Sequence, residues 1–100
     1  MNYPKRAIAP THPGELLRED ILPALGMSKV EFAKRLKLSR GALYNILNGT
    51  SEVTSDVAVR LAAILKPSPQ FWLNMQSAYN IAQSQERLVD ELRELEPIEA

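Results

Sequence analysis

The feature that most constrains this chain is a spacing in its middle third: small Ala33, then apolar Leu38, then apolar Ile46. Two helices that cross steeply need a small residue where their backbones come closest, an apolar plug in the turn, and an apolar anchor on the second helix. Local signals mark both helices. Ser28-Lys29-Val30-Glu31 has the capping-box pattern, in which the serine oxygen takes one free backbone N–H and the glutamate returns to another. Phe32, Ala33 and Leu36 then share a face, and the helix stops at Lys37-Leu38. Ser39 caps the second helix, which sets Ala42, Leu43, Ile46 and Leu47 on one side and Arg40, Gly41, Tyr44, Asn45 and Asn48 on the other before Gly49 ends it. An ordinary helical hairpin in a small bundle satisfies the same spacing, so further observations are needed to choose.

The outer face of the second helix supplies them. An arginine such as Arg40 can be bidentate to guanine, an asparagine such as Asn45 can pair with adenine, and Tyr44 can pack on a sugar or a thymine methyl. Gly41 costs a helix interior about 0.8–1.0 kcal/mol relative to alanine, which is better explained where something must approach closely. The net charge is zero, but residues 27–50 carry Lys29, Lys34, Arg35, Lys37 and Arg40 against Glu31 alone, a local balance of plus four. Excess positive charge on this segment is the electrostatic footprint of phosphate binding. Residues 28–49 therefore read as a helix-turn-helix whose second helix enters the major groove, and the chain as a sequence-specific DNA-binding protein.

The remaining apolar residues recur at helical spacings, with no stretch of alternating β-branched residues, so the fold class is all-α. Five helices are expected. The first begins near Pro13 and presents Leu16, Leu17, Ile21 and Leu22 until Pro23 and Gly26 end or bend it. The helix-turn-helix supplies two. The fourth begins at Thr54 and Asp56, with Val57, Leu61, Ile64 and Leu65 inward as far as Pro67. Ser68-Pro69 caps the fifth, which carries Phe71, Trp72, Met75, Ala78, Tyr79 and Ala82. A thinner pattern, Leu88, Leu92 and Leu95, follows before Pro97. The organisation expected is a flexible arm at 1–11, the DNA-binding domain at 12–82, and an acidic helical extension at 83–100.

Here a resemblance becomes specific. Residues 28–49, SKVEFAKRLKLSRGALYNILNG, resemble the lambda-repressor-like helix-turn-helix. Residues 12–19, HPGELLRE, and 71–76, FWLNMQ, with Arg60-Leu61-Ala62 between them, resemble the HigA (VapI-type) antitoxins of bacterial toxin-antitoxin modules. The resemblance covers about residues 11–82. It implies a five-helix lambda-repressor-like fold and a dimeric repressor of its own operon that also neutralises a small partner toxin, typically a ribosome-dependent mRNA interferase. Carried onto this chain, the recognition positions are Ser39, Arg40, Gly41, Tyr44 and Asn45, with Lys29 facing a phosphate; Asn48 lies on the same exposed face. Lys37 stands where relatives often have glycine, a departure that bears on the backbone of the turn.

Trp72, Met75, Tyr79 and Ala82 form an apolar stripe along the fifth helix. Such a stripe is core or, with four helices already filling one small core, a contact with a second subunit. A homodimer would place two recognition helices roughly 34 Å apart and require pseudo-palindromic double-stranded operator DNA. Residues 85–100 carry six acids against two arginines, which reads either as a solvated helix end or as a surface that meets a basic toxin. Lys5 and Arg6 suit toxin or DNA backbone equally.

Enzymatic chemistry finds no support. The single histidine, His12, has no second histidine or cysteine with which to hold a metal and is expected to be structural; no metal or cofactor is expected. Glu19 and Asp20 are adjacent and do not face each other on a helix. No phosphate-cradling glycine loop is present. No apolar run reaches the roughly 18–20 residues that cross a bilayer, the first residues lack the apolar core of a secretory signal, and the absence of cysteine fits a cytoplasmic protein without membrane contact. Two other readings stand beside the antitoxin: a free-standing repressor of the Cro type without a toxin, and a protein-interaction module whose helix-turn-helix has lost DNA binding.

Overall fold

A computed structural model describes residues 10–99, all of whose regular structure is helical. The expected N-terminal arm lies outside the described residues except for Pro10 and Thr11.

The first helix is one continuous rod in three pieces: α1 (Pro13–Leu16), a π-helical turn (Leu17–Ile21) and α2 (Leu22–Leu25). The π register, closed by Leu22 N–H on the Leu17 carbonyl, lets the rod take Pro23 without breaking, so Pro23 opens α2 instead of ending the helix. Gly26 ends it in the left-handed conformation, φ 63°. Helices α3 (Lys29–Leu36) and α4 (Arg40–Leu47) follow, then α5 (Ser55–Ile64), α6 (Pro69–Arg87) and the short α7 (Val89–Arg93). Helix α6 thus continues well past residue 82.

Every helix from α3 to α6 starts on a hydroxyl cap that satisfies an otherwise free N–H: Ser28 for Glu31, Ser39 for Ala42, Thr54 for Val57 and Ser68 for Phe71. The capping box at Ser28 closes on one side only. Glu31 turns forward along α3 and pairs with Arg35 Nε at 3.2 Å.

The core gathers Leu17, Leu22, Phe32, Ala33, Leu36, Leu43, Ile46, Leu47, Val53, Ala58, Leu61 and Trp72. Leu38 and Leu65 pack half-buried against it. Burying each of the larger aliphatic and aromatic side chains stabilises by about 1.5–3 kcal/mol, enough to hold short helices that would be marginal alone. Two residues depart from their expected faces. Ile64 is 42% exposed, because α5 turns its Ala58 and Leu61 side to the core. Ala42 is exposed and joins the outer face of α4.

Trp72 requires a larger correction. Expected in a subunit contact, it is fully buried among the core residues of its own chain and leaves no surface for a partner. Its ring meets Phe71 edge-on at 5.1 Å. Met75, Tyr79 and Ala82 are only half-buried. Within α6 the buried residues are Trp72 and Gln76; past Gln76 the helix runs beyond the core, and with α7 it stretches the molecule to 51 Å by 29 Å by 23 Å.

Candidate nucleic-acid interface

The helix-turn-helix is α3, the turn at Lys37-Leu38-Ser39, and α4. Ala33 is buried where α3 meets its neighbours, Leu38 plugs the turn and Ile46 anchors α4. The turn is built by Lys37, which adopts φ 58°, ψ 41°. Its N–H donates to the Lys34 carbonyl at 3.1 Å and Leu38 N–H donates to the Ala33 carbonyl at 3.0 Å. These two bonds make a left-handed Schellman cap, the backbone that a glycine usually supplies.

The three flanking motifs hold this unit in place. Gly14 lies against the end of α4 so closely that a Cβ on it would sit 1.8 Å from the Ile46 carbonyl oxygen. Arg18 Nη1 donates to the Leu47 carbonyl at 2.7 Å, satisfying an acceptor that the helix end leaves free. His12 Nδ1 accepts from Gly14 N–H at 2.9 Å, which makes the ring the Nε2–H tautomer; Nε2 donates to the Ser51 carbonyl at 3.1 Å. The His12 ring also meets Tyr79 edge-on at 5.1 Å. Burial holds the His12 imidazole below its ordinary value of 6.5, against a smaller opposing pull from the Ser51 hydrogen bond and from Glu52 and Glu15. On α5, Arg60 Nη1 donates to the Leu36 carbonyl at 2.9 Å. On α6, Gln76 Oε1 accepts from Val53 N–H at 2.8 Å and its Nε2 donates to Asn80, fixing the loop that leaves α4.

Both helices of the motif therefore end under an arginine from elsewhere in the chain. Gly14, Arg18, Arg60 and Gln76 escaped the sequence reading as positioning residues. For Gly14 a usable signal existed: the cost of a helical glycine, applied to Gly41, applies equally to Gly14, which like Gly41 stands second in its helix. At Gly41 a Cβ would meet nothing within 4 Å, so nothing in the chain itself calls for that glycine.

The outer surface gathers the remaining site residues. Arg40, Gly41, Tyr44 and Asn45 along α4, and Asn48 at its C-terminal cap, are all exposed. Lys29, at the start of α3, sets its Nζ 5.6 Å from the Tyr44 ring centroid, a cation–π contact that joins the two helices across their outer faces. Ser39 Oγ accepts from Ala42 N–H with one lone pair, and among the described residues no hydrogen bond uses its O–H donor. Among the described residues, no hydrogen bond or ion pair involves the charged groups of Lys34, Lys37 or Arg40. An exposed basic face without carboxylate partners suits a polyanion.

The helix-turn-helix family matches residues 17–72. Over 93 residues the chain is 38% identical to virulence-associated protein A' of Dichelobacter nodosus, spanning 92% of this chain and 80% of that one. It is 32% identical to antitoxin HigA-1 of Vibrio cholerae, over 89% of this chain and 84% of the other. The chain belongs to the HigA family of helix-turn-helix antitoxins. The solved structure of the Pseudomonas aeruginosa antitoxin HigA with the higBA promoter superposes on this HigA-family chain with a TM-score of 0.85 at 33% identity, covering 90% of this chain and 99% of that one. As in the family, the fold is helical and built around a DNA-binding helix-turn-helix. Among the described residues no helix is long and apolar enough to cross a membrane.

Proposed function

We propose that this chain represses its own operon as a dimer and neutralises a small partner toxin by direct binding. The observation that carries the repressor half is the exposed outer face of α4. Arg40 and Asn45 stand free to meet base edges, flanked by Lys29, Ser39 and Asn48 for phosphates and Tyr44 for a sugar or methyl contact. Gly41 leaves room for the DNA backbone. The antitoxin half is supported by kinship with proteins named HigA.

Two copies set side by side would present two such faces to successive major grooves of a pseudo-palindromic operator. Met75, Tyr79 and Ala82 of α6 keep partly open apolar surface for the second copy. The domain at 12–82 does the DNA work in the cytoplasm. The acidic segment 83–100 adds charge that speeds encounter with a basic toxin.

Titration of a labelled fragment from the chain's own promoter, at several salt concentrations, tests the repressor reading: binding that weakens steeply with salt supports it, and absence of binding overturns it. Copurification with the product of the adjacent gene tests the antitoxin reading. A chain that binds the promoter but captures no such product is a repressor alone.

A further inference from the structure

Among the described residues three helical segments end in the same left-handed Schellman cap, and in two of them the residue is glycine. Gly26, φ 63°, closes α2 with its N–H on the Pro23 carbonyl and Met27 N–H on the Leu22 carbonyl. Gly49, φ 81°, closes α4 with its N–H on Ile46 and Thr50 N–H on Asn45. The third cap is Lys37, the one non-glycine residue with positive φ among the described residues. A Cβ in this conformation crowds the following carbonyl, which is why glycine is the usual occupant.

The fold gains nothing visible from the lysine. Lys37 is exposed, and no hydrogen bond, ion pair or aromatic contact of the described residues involves its ammonium. Its place is the informative part. It lies two residues before the Ser39 cap and three before Arg40, at the lip of the helix that faces DNA. A strained residue held at a functional edge is a reason to look for a gain made elsewhere.

We propose that Lys37 is a DNA-phosphate contact, kept in a glycine-type backbone position at the expense of stability, and that it contributes to affinity without reading sequence. This rests on the operator-binding reading above. A compact point charge on a flexible stem suits a phosphate oxygen, and a phosphate contact carries no base information.

The test compares wild type, Lys37→Gly, Lys37→Gln and Lys37→Arg by thermal melting and by fluorescence anisotropy on promoter and scrambled duplexes, across about 50–300 mM salt. Lys37→Gly should raise Tm by roughly 4 °C. It should also flatten the log affinity against log salt slope by about 0.9 per bound protomer. Lys37→Gln should share the flatter slope without the gain in Tm, and Lys37→Arg should keep the wild-type slope. Both neutral variants should weaken binding to promoter and scrambled DNA by the same factor. Wild-type slopes in Lys37→Gly and Lys37→Gln, with wild type itself binding in a salt-dependent way, would overturn the proposal. A wild-type chain that binds no promoter DNA would overturn the operator reading as well, so the two failures are distinguishable.

Discussion

The guanidinium of Arg18 donates from Nη1 to the carbonyl oxygen of Leu47, the last residue of α4, at 2.7 Å. The two residues are 29 positions apart in sequence, and the bond fastens the end of α4 to the first helical rod. Its positive charge also lies at the negative end of the α4 dipole, where it is favourable.

Replacing Arg18 with methionine keeps most of the stem and removes the donor. Because the side chain is one-third exposed, water partly replaces the lost bond, and the expected destabilisation is about 1–2 kcal/mol. Operator affinity should fall further than stability alone explains, since α4 loses an anchor. Urea unfolding and anisotropy measurements on the same preparation separate the two effects; unchanged values in both would show that the contact does not hold the helix.

Gly14 and Gly41 should respond in opposite directions to alanine. Gly14→Ala drives a methyl into the Ile46 carbonyl, which is backbone and cannot turn aside, so a loss of about 3 kcal/mol is expected. Gly41→Ala places its methyl in open space on α4 and should stabilise by up to about 1 kcal/mol. If DNA approaches closely there, that more stable variant should nevertheless bind the operator more weakly. Thermal melts of the two variants, with anisotropy on Gly41→Ala, check both halves.

His12 makes the fold pH-dependent. Its Nδ1 must stay unprotonated to accept from Gly14 N–H, and burial lowers its pKa from 6.5. In the window between the folded value and 6.5 the unfolded chain binds more protons, so stability is complete above 6.5 and declines as pH falls through the folded pKa. His12→Asn offers a cap oxygen without a titrating ring. Chemical denaturation from pH 8 to pH 5 should show wild type losing stability as the pH falls below 6.5 and the variant losing less. Equal slopes would assign the pH dependence to other groups.

What the sequence made legible follows from the range of the interactions. Helix starts could be read because Ser28, Ser39, Thr54 and Ser68 each cap an N–H three residues away, a local event. The basic outer face was readable because helical periodicity fixes which residues share a side, although Ala42, at its margin, went to the wrong face. Long-range contacts were not readable. Nothing near Arg18 names Leu47, and nothing near Arg60 names Leu36, although both lie in blocks that the family resemblance singled out. Trp72 illustrates the same limit: its spacing with Met75 marks an apolar face, but only the fold decides that the chain's own core covers it.

On the proposed function, α4 reads DNA sequence through Arg40, which is exposed and takes no part in the core. Competition binding of Arg40→Ala against promoter and scrambled duplexes tests it most directly, with a thermal melt as control. The expected result is an unchanged Tm with the preference for promoter DNA reduced by about 1–3 kcal/mol, roughly 5-fold to more than 100-fold. A variant that melts like wild type and keeps the wild-type preference would contradict the claim.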